Sequence, residues 1–456
     1  MKLIKFAFNN LLRNKRRTMS TLCAIIIGTV GVAGLGGYNR SIQYSLQTSF
    51  VRSAGHLQVQ NKDYYKYGSS NPALYSIQDY DNIISKIKSN KKISNLLSVV
   101  TPALAMTGLA NNNNNNLSRP VLIFGEEAAD MERLNSWDGY NLDGHSPLRI
   151  MLDKKNISSA LLGSELYFLL NNKSATKGNS KSQEDLVPKS LTLLSEEASK
   201  HNEIGGKSRL ELLVPSAYGA PNVANIEVDG IKSQGSREMD ESYVGIHLKK
   251  AQQLLFGNEK DPGVTAIMVQ LKKSADLEKA RSEIISIIGK MKTKEQLSVY
   301  DFTQLNPLYN QITHMFKNLF LFFLFLIVCL ALFSVGNTMS MTVLERMSEI
   351  GTLRAIGFKK KDIQWLFMLE GTLMGLIGLV AGDFMSFILS FIVNCSNLTW
   401  QPPGVIEPVP LQIILRGEWR MMTIIDCTML SATILSSWLP AKRASNTNII
   451  ESLRHQ

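Results

Sequence analysis

Asp383 and Asp426 are the residues of this sequence that packing alone explains least, because both acids sit inside long apolar runs. A carboxylate at mid-membrane costs roughly 2.5–3.5 kcal/mol on insertion scales, and ionisable groups at that depth usually serve a function. Together the two could form a proton path. No Lys or Arg lies within the runs to pair with them, so hydrogen-bonded structural roles, or places near the headgroups, are the alternatives. Other chemistry is hard to find. Gly205-Gly206-Lys207-Ser208 resembles half a phosphate loop, but the glycine required five residues before Gly206 is replaced by His201. The six histidines are scattered without metal-ligand spacing, and all four cysteines (Cys23, Cys329, Cys395 and Cys427) lie in or beside apolar runs.

Two other patterns concern contact rather than catalysis. The segment from Leu344 to Phe358 sets Glu345, Arg346, Glu349 and Arg354 among Ile350, Leu353 and Ile356, with Gly351 and Gly357 as break points. Such a segment can hold a short helix against another protein, apolar residues buried and charges at the rim. The alternative is a solvated loop, which three exposed aliphatic residues argue against. Gly371, Gly375, Gly378 and Gly382 recur at +4, +3 and +4, on one helix face, and Gly28, Gly31 and Gly34 do much the same. Small residues let membrane helices approach closely. The two faces serve either packing within one subunit or a dimer seam.

The elements that position these residues are four apolar runs. Average hydropathy is near zero, but apolar residues, 45% of the chain, are segregated. A helix rises ~1.5 Å per residue, so ~20 apolar residues cross a ~30 Å hydrocarbon core. Thr18 to Tyr38 and Asn318 to Leu344 are uncharged; the other two runs contain Glu370 with Asp383, and Asp426. The expected spans are 18–40, 318–344, 363–395 and 420–440, with a short outer loop at 396–419. A cleaved signal peptide fits the first run poorly, since it is long and no A-x-A-like site follows. Residues 1–17, 345–362 and 441–456 together hold 14 basic and 4 acidic residues, ten of the eleven net positive charges. The positive-inside rule puts all three in the cytoplasm. It also argues against nucleic acid as a partner, because the large middle segment, where a binding surface would have to lie, is nearly neutral. In the leader, Leu3, Ile4, Ala7, Phe8, Leu11 and Leu12 share helical spacing, as in a helix lying in contact with membrane lipids or in an extension of the first span.

Residues 41–317 then form an extracytoplasmic domain without cysteine. Strand-like His56–Gln60 and Leu96–Met106 flank a helical Ile77–Lys88, and strand-like Val264–Leu271 and Leu297–Phe302 flank a helical Ala275–Ile288. Two β-α-β units therefore bracket the segment and can pair into one sheet. Between them, at about 108–245, a β-rich subdomain is inserted. It includes the run Asn111–Asn116, read as an exposed turn, and a Lys/Ser/Asn/Gly-rich loop at 172–208. The fold class is an α-helical membrane protein with four transmembrane helices and a large mixed α/β extracytoplasmic domain.

The motif Glu345-Arg-x-x-Glu-Ile-Gly-x-Leu-Arg-Ala-Ile-Gly357, followed by Glu370-Gly371 and a glycine-rich span, resembles the FtsX/MacB-type, mechanotransmission ABC transporter permeases. The opening Asn10-Leu-Leu-Arg-Asn-Lys-Arg-Arg-Thr18 and the closing Leu439-Pro-Ala-Lys-Arg-Ala-Ser, ending Ile450-Glu-Ser-Leu-Arg, are similar to the same family. Gly55-His-Leu-Gln-Val looks most like its lipoprotein-releasing, LolC/LolE-like branch. The resemblance implies a non-catalytic subunit of a bacterial inner membrane with both ends cytoplasmic and a porter-like outer domain. Its partners would be a second permease copy or paralogue and a cytoplasmic ABC ATPase, with a periplasmic adaptor or lipoprotein as further candidates. No cofactor is bound directly; ATP and Mg belong to the partner ATPase, expected as a separate protein. Glu345, Arg346, Glu349, Ile350, Gly351, Leu353, Arg354, Ala355, Ile356 and Gly357 match the family's coupling motif. The expected work is extraction or export of a lipoprotein, lipid or other amphipathic substrate. Signalling to a cell-wall hydrolase and tripartite efflux are the alternatives.

Overall fold

The computed structural model describes residues 7, 10, 13, 15–68, 70–113, 115–140, 152–171, 209–234, 237–291, 294–396, 398–400 and 409–446. Most of the leader, the 172–208 loop with Gly205–Ser208, and the closing 450–454 motif lie outside the described residues. The chain divides into two compact units: Met1–Tyr44, Gln311–Trp400 and Val409–Gln456 form one, Ser45–Asn310 and Gln401–Pro408 the other.

In chain order, helix α1 (Lys15–Ala54) leads to β1 (Leu57–Asn61). It runs well past the uncharged stretch because no helix breaker intervenes before Gly55, which takes φ +75° and ends the helix as a left-handed C-terminal glycine does. Helix α2 (Tyr80–Ser89) buries Ile83, Ile84 and Ile87. Ile77, expected in this helix, instead makes an isolated bridge with Val264. Next come β2 (Leu97–Asn112), β3 (Leu117–Glu126), α3 (Ala128–Asn135), β4 (Ser159–Leu162), α4 (Ser164–Asn171), β5 (Arg209–Pro215), β6 (Pro221–Ile231), β7 (Tyr243–His247) and α5 (Leu248–Phe256). The α/β unit closes with β8 (Ala266–Leu271), α6 (Leu277–Lys290) and β9 (Leu297–Asp301).

The two bracketing units do pair. Their strands run β9-β1-β8-β2, every neighbour antiparallel, a split β-α-β arrangement. The inserted segment adds a ring: β2 pairs β3, then β7, β4, β6 and β5 follow, and β5 returns to β2. Ring closure leaves these strands without a free edge. Strand β2 serves both parts. Its first half pairs β8 and its second half pairs β3, with Ala103 opposite both Ala266 and Glu126. A single hydrophobic core runs through both, from Ile83 and Ile284 to Ile123 and Leu212. The asparagine run is a turn, but not merely an exposed one. Asn112 is buried, and Asn112 and Asn115 donate to the Leu170 carbonyl at the end of α4, each at 3.1 Å. They satisfy carbonyls that a helix end leaves open.

The second unit holds α7 (Pro307–Glu345), α8 (Met347–Ala355), α9 (Lys360–Cys395) and α10 (Trp419–Asn446). Helices α1, α7, α9 and α10 are long and apolar enough to cross a membrane. On α10, Trp419 and Trp438 are exposed, ~28 Å apart at 1.5 Å per residue, as aromatic residues at two membrane interfaces would be. Arg420 and Lys442 lie over their respective rings. The boundaries between the two units fall at residues 44/45 and 310/311, inside α1 and α7.

Candidate functional site

The motif-bearing segment folds as two interruptions around one short helix. Helix α7 ends at Glu345, Arg346 leaves helical geometry (φ −107°, ψ 18°), α8 follows, and Gly357 at φ +110° turns the chain toward α9. A residue with a Cβ would be strained at that φ. Ile350 points inward, packed with Val343, Ile363, Phe367, Ala441 and Ala444. Leu353 is half-buried against the same cluster. Gly351 is buried, whereas Glu345, Ala355 and Gly357 are exposed. Arg354 donates from Nη1 to the Ser445 carbonyl at 3.0 Å, fixing the end of α8 to the end of α10. The aliphatic residues therefore do not share one outward face. Ile350 is spent on the chain's own core, and beyond α8 the exposed apolar surface is Ile356 (74% exposed) with Phe358 (39%).

The charges form a connected network. Arg346 is 6% exposed and Glu370, on α9, is 2% exposed. Arg346 Nη1 donates to Glu370 Oε1 at 2.9 Å, and its Nε to Glu349 Oε2 at 2.9 Å. Asn10 Nδ2 also donates to Glu370 Oε1, at 2.5 Å, and Arg13 pairs with Glu349. The Arg346 guanidinium lies 5.6 Å from the Phe367 ring centre. Burial works against the Arg346 charge, but Glu370 and Glu349 outweigh it and push the guanidinium further up. Burial likewise opposes the Glu349 carboxylate, yet bonds from Arg346 and Arg13 hold it below the usual range. Two cations and two anions thus neutralise one another, and Asn10 ties the leader to them. Sequence reading named Glu370 and Asn10 within the family motifs but did not foresee that Asn10 and Arg346 both donate to Glu370. The available signal was a membrane acid with no base in any span, whose nearest charged partner is an arginine at the adjoining helix end.

The glycines pack within the chain. A Cβ at Gly371 would stand 2.5 Å from Ser437 Cβ, one at Gly375 would collide with Thr433, and at Gly378 and Gly382 it would meet Ile25 and Thr29 at 2.7 Å. This face of α9 is filled by α10 and α1. At Gly28 and Gly31 a Cβ would meet Ile327 of α7 at 3.0 and 3.6 Å, and at Gly34 Leu389 at 3.9 Å. These contacts run along α1, α7 and α9 within the chain, as the packing alternative expects. The antiparallel register of α9 and α10 sets Asp426 level with Gly382 and Asp383. Each aspartate buries an Oδ1 that has no hydrogen-bond partner.

Residues 321–449 match the FtsX-like permease C-terminal family model. The chain is 24% identical over 263 residues to the lipoprotein-releasing system transmembrane protein LolC of Neisseria meningitidis, covering 56% of this chain and 62% of that protein. It is 25% identical over 227 residues to an ABC transporter permease of Methanocaldococcus jannaschii, covering 50% and 54%. It is 30% identical over 197 residues to the macrolide export ATP-binding/permease protein MacB of Escherichia coli, covering 42% and 28%. The matched stretches thus span less than two thirds of each of these relatives. The chain carries an FtsX-like permease domain, and its relatives are ABC transporter permeases of the LolC and MacB type.

Proposed function

We propose that this chain is the membrane subunit of an ABC transporter complex of the inner membrane, with the 345–362 segment in the cytoplasm as the dock for a separate ATPase. Mg-ATP is bound and hydrolysed by that partner, and two permease chains complete the assembly. Helices α1 and α7 carry the resulting displacement to the α/β domain, which works on a lipoprotein, lipid or other amphipathic substrate at the outer surface. The carrying observation is the division of labour in the motif: Ile350 and the charges are satisfied internally, and Ile356 and Phe358 remain exposed. An exposed apolar pair beside a fixed polar rim suits a protein interface. Similarity to LolC supports the lipoprotein reading, and similarity to MacB supports efflux as a second one. The test is copurification after mild detergent extraction. Ile356→Asp should cost at least tenfold in bound ATPase while the chain stays membrane-inserted; undiminished ATPase binding overturns the dock. Coextracted lipoprotein favours release, and an outer-membrane channel favours efflux.

A further inference from the structure

His56 follows directly on the turn that ends α1, and it is completely buried. All four of its polar positions are engaged. Its backbone N–H donates to the Val269 carbonyl at 2.9 Å, and its carbonyl accepts from the Phe302 N–H at 3.1 Å. Its Nδ1 accepts from the Leu271 N–H at 3.1 Å, which leaves the ring proton on Nε2, 3.0 Å from Ser274 Oγ. One residue therefore joins the end of α1 to β8, to the turn before α6, and to Phe302, which starts the short connection into α7. The preceding Gly55 admits no side chain, since a Cβ there would lie 2.9 Å from the Val269 carbonyl oxygen.

A second set of contacts joins the same two helices. Phe50 of α1 meets Tyr309 of α7 edge-on at 6.0 Å, and Tyr309 meets Phe302 at 5.2 Å. Trp137 stands edge-on to His56 at 5.0 Å and accepts at its carbonyl from Arg52 Nε at 2.6 Å. Gln270, also fully buried, donates to the carbonyls of Leu134 (2.9 Å) and Val51 (3.4 Å). The ends of α1 and α7 inside the α/β unit are thus held to each other and to the sheet by directional contacts, all between neutral groups except the one from Arg52. Packed aromatic and hydrogen-bonded groups of this kind have few alternative arrangements.

We propose that His56 is the positioning residue of a yoke that makes the α/β-unit ends of α1 and α7 move as one body, so that the domain receives the displacement of both helices together. This deepens the coupling function proposed above and rests on it for its purpose. The test needs neither ATPase nor substrate, so its outcome is separate from that reading.

Nitroxides are placed at exposed positions on the two helices, Ser53→Cys and Leu308→Cys, in the full chain in nanodiscs. Cys23, Cys329, Cys395 and Cys427 are replaced by serine. A control pair, Lys88→Cys with Ser282→Cys, reports on the sheet-and-helix body. Pulsed dipolar distances should give one narrow distribution for the helix pair. His56→Leu should at least double its width and leave the control unchanged; Phe50→Leu should widen it less. If His56→Leu also broadens the control pair, the domain has lost its fold and Ser274→Ala decides. Widening of the helix pair alone by Ser274→Ala supports the yoke, and an unchanged width overturns it. A helix-pair distribution indifferent to His56→Leu overturns it directly.

Discussion

Arg346 and His56 each stand just beyond the end of a long helix, the first after Glu345 and the second two residues after Ala54. Each is almost fully buried and hydrogen-bonded, yet their chemistries are opposite. Around Arg346 the groups are ions, and two members of the network, Arg13 and Glu349, reach solvent. Around His56 every partner is neutral, and four aromatic rings surround the joint. An ionic network open to water can be repartitioned by an incoming charge, and salt screens its outer members. A neutral joint has nothing to exchange. The difference teaches where adjustment and where stiffness are built in: the motif segment can respond to a partner, and the His56 joint can only pass on what it receives.

Breaking the buried pair gives the largest expected effect. Glu370→Ala leaves Arg346 without its buried partner, and removing one member of such a pair costs about 3–5 kcal/mol. Thermal unfolding in detergent should show it, with Arg346→Met added to Glu370→Leu recovering most of the loss. A single Glu370→Ala that melts like the parent would dissolve the contrast between the two regions.

The neutral joint should show itself through pH. Burial lowers the His56 pKa to about 4 from its ordinary 6.5. The unfolded chain then takes up a proton as pH falls below 6.5 while the folded chain refuses it until about 4. The His56 contribution to stability is complete above 6.5, declines between the two values, and levels off below 4, a loss of about 3 kcal/mol in total. Denaturant titrations of the full chain across that window check it, and His56→Phe should flatten the profile over the same range.

Smaller effects sharpen the comparison further. A double-mutant cycle on Phe50 and Tyr309 should return a coupling of about 0.5–1.5 kcal/mol that is insensitive to salt. The same cycle on Arg13 and Glu349, both solvent-reaching, should return about 0–1 kcal/mol and fade in high salt. Equal salt dependence in the two cycles would contradict the distinction.

These regions were unequally legible in the sequence. The four membrane helices follow from the apolar runs, and the bracketing β-α-β units follow from the spacing of Ile83, Ile84 and Ile87, and of Ala280, Ile284 and Ile288. The α1 terminus was not legible as the end of the uncharged stretch, because a helix stops where its backbone turns, at Gly55, and not where its apolar residues do. In the motif segment the types were legible and the directions were not. Ile350, Leu353 and Ile356 look alike in a string, and only the packing of α9 and α10 decides that Ile350 goes inward. The ring was beyond reach for a different reason: β3 pairs with β7 in parallel across more than a hundred residues, and no local signal encodes such a partner. His56 was read as the first residue of a strand, since nothing in its neighbours announces Ser274 or Phe302.

Strand β2, which belongs at once to the four-stranded sheet and to the ring, limits how this architecture can be rearranged. Excising the ring as a cassette would take with it the strand that completes the sheet and leave β8 unpaired along the edge that β2 covers. Loops between the ring strands can be lengthened or recoded freely by comparison. Diversification of this domain among related chains should accordingly concentrate in those connections, and the shared strand should keep its length.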